Sequence, residues 1–210
     1  MIRPLVLAVS AIALLKVTPI YSKPVAVLSL DFEMKTLDGA SFNFGERYRG
    51  KAVLIVNLPY RCSRLSAARM QGYQRLHDEY CGRGLLVVGV PCGRFATRYK
   101  VLPEQAPTAR EFQKCCEKNH SVSYDLVEVS DVAGKSQSPL YAYLLAGMRE
   151  KQRRRGEPVR VKWDYEAFLL NREGRFVQHF RSDEPADSAA VVSAIERALS
   201  ESPDAQRSAQ

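Results

Sequence analysis

Lys51-Ala52-Val53-Leu54-Ile55-Val56-Asn57 holds five consecutive apolar residues between a lysine and an asparagine. An unbroken apolar run of strand length marks a strand buried on both faces, not one that alternates between core and solvent. Leu85-Leu86-Val87-Val88-Gly89-Val90 repeats the pattern. Between the two runs, Met70, Tyr73, Leu76 and Tyr80 recur at helical spacing, and Gly82 and Gly84 stop that helix. Strand, helix and strand in this order predict a crossover unit, whose doubly buried strands need helices on both faces of the sheet.

Outward from this unit the elements keep alternating. Upstream, Leu37-Asp38-Gly39 reads as a turn after a short extended segment. Downstream, Pro91 is expected to end the second strand, and a loop carries Arg94, Arg98 and Lys100. Thr108, with Glu111 three residues on, predicts a capped helix through about Lys118. A strand near Tyr124 to Val129 and a turn at Gly134 follow. Ser138-Pro139 then opens a helix with Leu140, Tyr143, Leu144 and Met148 at helical spacing. Lys151 to Arg155 reads as a solvated basic loop. Ala167 to Leu170, Glu173-Gly174 and Phe176 to Phe180 predict a hairpin, and Ala189 to Leu199 a closing helix. The expectation is an α/β domain over residues 28–200, a central mixed β-sheet flanked by helices.

A chain of 210 residues, 46% hydrophobic and 26% charged, can bury a core of this kind without disulfide staples. Its formal charge of +8 favours anionic partners in general. Zinc-finger spacing, a basic zipper and aromatic RNA-binding motifs are all missing, so no nucleic-acid partner is expected. At the N-terminus, Arg3 precedes an apolar run from Leu5 to Leu15, and the first acidic residue is Asp31. Residues 1–24 therefore read as a secretory signal or signal-anchor, placing the protein in the secretory pathway or on a membrane. A mitochondrial presequence is the alternative, and would want more arginine and serine. Residues 201–210 read as a flexible polar tail.

Five cysteines occur, Cys62, Cys81, Cys92, Cys115 and Cys116, with no Cys-x-x-Cys pair. Cys81 and Cys92 read as packing residues. Cys115, Cys116 and His120 lack a fourth metal ligand nearby, and no metal or organic cofactor is implied. His77 and His179 read as structural. Cys62 is different, because it falls between a buried strand and a helix start, with Arg61 and Arg64 beside it. A helix N-terminus and neighbouring cations both favour the thiolate.

The stretch Asn57-Leu58-Pro59-Tyr60-Arg61-Cys62 resembles the glutathione peroxidase family, whose members place a reactive cysteine or selenocysteine just after a buried strand. The resemblance continues through Gly84-Leu85, Pro91-Cys92-Gly93-Arg94-Phe95, Gly134, Pro139-Leu140-Tyr141, Trp163-Asp164-Tyr165 and Phe168-Leu169. It implies a thioredoxin-like fold and reduction of peroxides by thiols. It also implies a site in which Cys62 and Trp163 match the family's cysteine and tryptophan, while Arg98 stands at its glutamine and Asp164 at its asparagine. Ser63 replaces the glycine that follows the reactive cysteine. Family members served by thioredoxin-like reductants carry a resolving cysteine on the helix after Glu-Phe, which points to Cys115 or Cys116 here.

Thiolate formation alone explains little of the expected chemistry. Lowering a thiol pKa from about 8.5 to about 6 gains roughly thirtyfold in thiolate at pH 7, and the weaker nucleophile gives back roughly tenfold. Groups that orient the peroxide and stabilise the departing oxygen must supply the rest, which assigns that role to the Trp163 indole and the Arg98 guanidinium. Asp164 would pair with Arg98 and moderate its charge. The expected activity is thiol-dependent reduction of hydrogen peroxide or organic hydroperoxides through Cys62, with glutathione or a thioredoxin-like protein as reductant. The short connection from Leu145 to Trp163 resembles the family's monomeric branch. The alternative function is an inactive or sensor-type homologue that binds a partner or an anionic membrane surface.

Overall fold

The computed structural model describes residues 29–61, 63, 66–96, 106–152 and 158–200. The expectations for residues 1–24, for the tail 201–210 and for Arg153 to Arg155 lie outside the described residues. Among the described residues, no helix is long and apolar enough to cross a membrane.

A five-stranded sheet runs in the order β5-β4-β3-β6-β7, with β3 (Ala52–Pro59) at its centre. β3 pairs parallel with β4 (Leu85–Cys92), and β4 parallel with the two-residue β5 (Asp125–Leu126). On the other side β3 pairs antiparallel with β6 (Ala167–Leu170), which forms a hairpin with β7 (Phe176–Phe180). A separate hairpin of β1 (Glu33–Lys35) and β2 (Ser41–Asn43) precedes the sheet, turning at Gly39 with φ 94°. The mixed sheet expected from the alternating elements is thus the observed one.

Every residue of β3 is buried, and its alternate side chains feed two cores. Leu54, Val56 and Leu58 pack with Met70, Tyr73, Leu76 and Tyr80 of α2 (Ala67–Tyr80), Phe112 of α3 (Ala109–His120) and Val191, Ala194 and Ile195 of α5 (Ala189–Ser200). Val53 and Ile55 face the other way, toward Leu140, Tyr141, Leu144 and Met148 of α4 (Pro139–Gln152) and Phe44 of α1 (Phe44–Arg47). This is why the strand reads as a continuous apolar run: neither face meets water.

The helix starts follow local chemistry. Thr108 caps α3 with a complete capping box, its hydroxyl accepting from Glu111 N at 3.3 Å and the Glu111 carboxylate accepting from Thr108 N at 2.8 Å. α2 passes into a 3-10 turn at Cys81–Arg83, and Gly84, at φ 97°, reverses the chain into β4.

Three expectations need correction. β4 does not stop at Pro91 but continues to Cys92, with Pro91 opposite Leu58. The Pro91 carbonyl accepts from Ser130 N at 2.9 Å, so its edge points away from β3, where β5 has already ended. The missing proline N–H therefore breaks no rung of the sheet. The strand expected over Tyr124 to Val129 shortens to β5 and a single bridge from Val127 to Thr36, because it is an edge strand. Finally, Lys151 belongs to the last turn of α4, where a cation meets the helix dipole favourably.

Candidate active site

β3 and β4 end together, Pro59 opposite Cys92. The space beyond the carboxyl ends of parallel strands is where open α/β sheets gather reactive groups. Tyr60 N donates to the Cys92 carbonyl at 3.2 Å and Arg61 N to the Pro59 carbonyl at 2.7 Å, a tight turn directly after the strand. Ser63 and Ser66 then meet through their hydroxyls at 3.0 Å, and Ser66 N donates to the Ser63 carbonyl at 3.1 Å as the chain enters α2. Cys62 and Arg98 both lie outside the described residues, and so does the expected Arg98–Asp164 ion pair.

Trp163 and Asp164 are brought to this end of the sheet by main-chain bonding to β3. Asn57, fully buried, donates from Nδ2 to the Trp163 carbonyl at 3.0 Å, while its own carbonyl accepts from Tyr165 N at 2.6 Å. The Asn57 side-chain oxygen accepts from the Tyr141 hydroxyl at 2.9 Å, so α4 orients the amide that holds the loop. The loop needs a left-handed residue at Tyr165, φ 65°, and Tyr73 of α2 donates its hydroxyl to the Tyr165 carbonyl at 3.2 Å. The Trp163 ring is half-buried, 5.7 Å from the ring of Phe95. Asp164 is only 1% exposed. Burial pushes the Cys92 thiol up to about 11, and the charge of Asp164 acts in the same direction.

Two residues that the sequence did not single out complete this support. The Glu166 carboxylate, almost fully buried, accepts from Lys162 N at 2.8 Å and Trp163 N at 3.0 Å through Oε1, and Oε2 lies 2.8 Å from His179 Nε2. His179, read from sequence as structural, is therefore tied to the Trp163 loop. A signal for this existed in the hairpin: His179 stands opposite Phe168, two residues from Glu166, so the pleat puts all three side chains on one face.

The cysteines divide clearly. Cys115 is disulfide-bonded, whereas Cys81, Cys92 and Cys116 are free thiols. Cys116 points into the core beside Phe112 and Tyr124, and burial pushes its thiol up to about 12. Cys115 lies on the same helix, near its end, and Phe112, one turn earlier, packs against Tyr60 at 5.3 Å between ring centroids. That contact brings α3 to the turn that follows β3. The Cys115 sulfur accepts from Asn119 Nδ2 at 3.5 Å and lies 3.7 Å from His120 Nε2. Among the described residues, no group of three or more His, Cys, Asp or Glu side chains could hold a metal ion.

The glutathione peroxidase family model matches residues 29–145. The chain belongs to the glutathione peroxidase family. Among curated relatives of this family, a glutathione peroxidase-like peroxiredoxin of Chlamydomonas reinhardtii is 33% identical over 164 residues, covering 78% of this chain and 91% of the relative. A hydroperoxy fatty acid reductase of Synechocystis is 30% identical over 172 residues, covering 82% and 99%. Among solved structures, the T. cruzi GPX1 crystal structure superimposes with a TM-score of 0.59 at 21% identity, covering 80% of this chain and 94% of that one, which establishes the thioredoxin-like fold. As a member of the glutathione peroxidase family, the chain is a peroxidase-type oxidoreductase.

Proposed function

We propose that the protein reduces hydrogen peroxide or an organic hydroperoxide through Cys62, and that Cys115 is the resolving cysteine. The observation that carries this reading is the division of the thiols: Cys115 is disulfide-bonded while Cys81, Cys92 and Cys116 are free. This leaves Cys62 as the partner within the chain. In the proposed cycle the Cys62 thiolate attacks the peroxide O–O bond, releasing water or an alcohol and leaving a sulfenic acid. Cys115 then displaces the hydroxyl group as water and forms the disulfide, which an external dithiol reduces. Trp163 offers its indole N–H to the peroxide oxygens, with Arg98 as the cationic donor and Asp164 as its moderator.

Two features support a thioredoxin-like protein as the reductant in preference to glutathione. An intramolecular disulfide is the natural substrate of a dithiol, and the Chlamydomonas relative is named a peroxiredoxin. The excess of cationic residues, +8 formally, supports an anionic substrate or membrane surface near the site. We further propose a monomer, addressed to the secretory pathway or a membrane by its N-terminal segment.

The deciding experiment is stopped-flow peroxide consumption by the full chain and by Cys62→Ser, each with a thioredoxin system and with glutathione. Turnover that requires Cys62 and proceeds faster with the thioredoxin system is expected. Oxidation of Cys62 without turnover by either reductant would instead identify a sensor, and loss of any Cys62 oxidation would identify an inactive homologue.

A further inference from the structure

A resolving thiol on α3 faces a problem of acidity. Cys116, its sequence neighbour, has a thiol pushed up to about 12 by burial, so at pH 7 only about one such thiol in 10⁵ is ionised. Cys115 is also buried, at 7% exposure. Only the thiolate attacks another sulfur, so a thiol in this helix needs a base in contact with it. α3 ends on one: His120, 2% exposed, with Nε2 3.7 Å from the Cys115 sulfur.

We propose that His120 is the general base for the resolving step, taking the Cys115 proton at Nε2 as Cys115 attacks the sulfenic acid of Cys62. Here the S–H proton moves to Nε2, the S–S bond forms, and the S–O bond of the sulfenic acid breaks. The hydroxide leaves with the proton returned by the imidazolium, as water, and no outside oxidant is consumed. Three further observations fit this role. The helix stops at His120, because Ser121 adopts a left-handed conformation at φ 53°, and this sets the ring beside the sulfur five residues earlier. Nδ1 is buried and makes no hydrogen bond, so no carboxylate or other side chain holds the ring in the protonated form. Burial also lowers the imidazole pKa from its ordinary value, with the Asn119 main chain acting in the opposite sense, so that the ring is neutral and able to accept a proton at pH 7. Asn119, donating to the same sulfur at 3.5 Å, can stabilise the thiolate as it forms.

This inference rests on the proposed Cys62–Cys115 pairing, and its test separates the two. The full-length protein and its His120→Gln and His120→Phe variants are mixed with hydrogen peroxide in rapid-quench experiments. Sulfenic acid at Cys62 is trapped with a dimedone probe, and the disulfide is quantified by peptide mapping. Glutamine keeps a hydrogen bond to the sulfur but takes no proton, whereas phenylalanine keeps only the packing. Both variants should form the sulfenic acid at the parent rate, which also shows that they are folded, and both should close the disulfide about a hundredfold more slowly, at the low end of general base catalysis. Parent-rate closure in His120→Gln overturns the base and leaves the pairing standing. No sulfenic acid at Cys62 in the parent, or a disulfide that excludes Cys115, overturns the pairing and the base with it.

Discussion

Replacing Glu166 by alanine should release the Trp163 loop from the sheet. The carboxylate accepts three hydrogen bonds, from Lys162 N, Trp163 N and His179 Nε2, at 2.8, 3.0 and 2.8 Å. Hydrogen bonds to a charged group are worth about 1.5–3 kcal/mol each, which sets an upper bound near 9 kcal/mol. Lys162 is exposed and Trp163 half-buried, so water can reach those two N–H groups after truncation. The expected cost is then about 3–5 kcal/mol, that of removing one partner from a buried pair. Glutamine in place of Glu166 keeps an oxygen for the two main-chain donors and asks only that His179 accept at Nε2, which the other tautomer allows. That variant should lose about 1–1.5 kcal/mol. Trp163 is the only tryptophan in the chain, so its emission reports the loop directly. Urea unfolding followed by fluorescence and circular dichroism should show a large loss of stability and red-shifted native emission for Glu166→Ala, and little of either for Glu166→Gln. If Glu166→Ala unfolds within about 1 kcal/mol of the parent with unchanged emission, the carboxylate does not hold the loop.

Further consequences concern the thiols and the packing. With the Cys92 and Cys116 thiols pushed up to about 11 and about 12, both should resist a disulfide reagent at pH 8 in the native protein, while exposed Cys81 reacts at once and unfolding releases the others. The folded state holds these protons after the unfolded thiols, with pKa near 8.5, have lost theirs. Stability should therefore fall above about pH 9 by up to about 1.4 kcal/mol per pH unit for each thiol, and urea titrations between pH 8 and 10 measure that slope. Asp164→Asn removes a buried charge that helps keep the Cys92 thiol protonated, so it should lower the Cys92 pKa and, on the proposed site, that of Cys62. Alkylation rates against pH with mass-spectrometric readout follow both. Gly147→Ala, ordinarily favourable in a helix, should destabilise by about 1–3 kcal/mol, because the new Cβ would lie 2.4 Å from the Phe176 Cβ on β7. Thermal unfolding reads the loss.

The sequence by itself determined what depends on neighbours along the chain. The runs at Ala52 to Val56 and Leu85 to Val90 could only be strands covered on both faces. The Thr108 and Glu111 pair marked the start of α3 because a capping box spans three residues. The hairpin carrying His179 was legible from its turn, Gly174 at φ 75°. What the tertiary structure decided depends on residues far apart in sequence. No local pattern shows that Tyr141 on α4 orients Asn57 on β3, across 84 residues, or that Asn57 then holds Trp163, 106 residues on. The two neighbouring cysteines of α3 show the same limit within one element. Cys115 and Cys116 are adjacent, and successive residues on a helix point about 100° apart. Which of them meets a partner thiol and which is sealed in the core depends on how Phe112 seats the helix against Tyr60. That rotation is set by packing, and the sequence of the helix does not contain it.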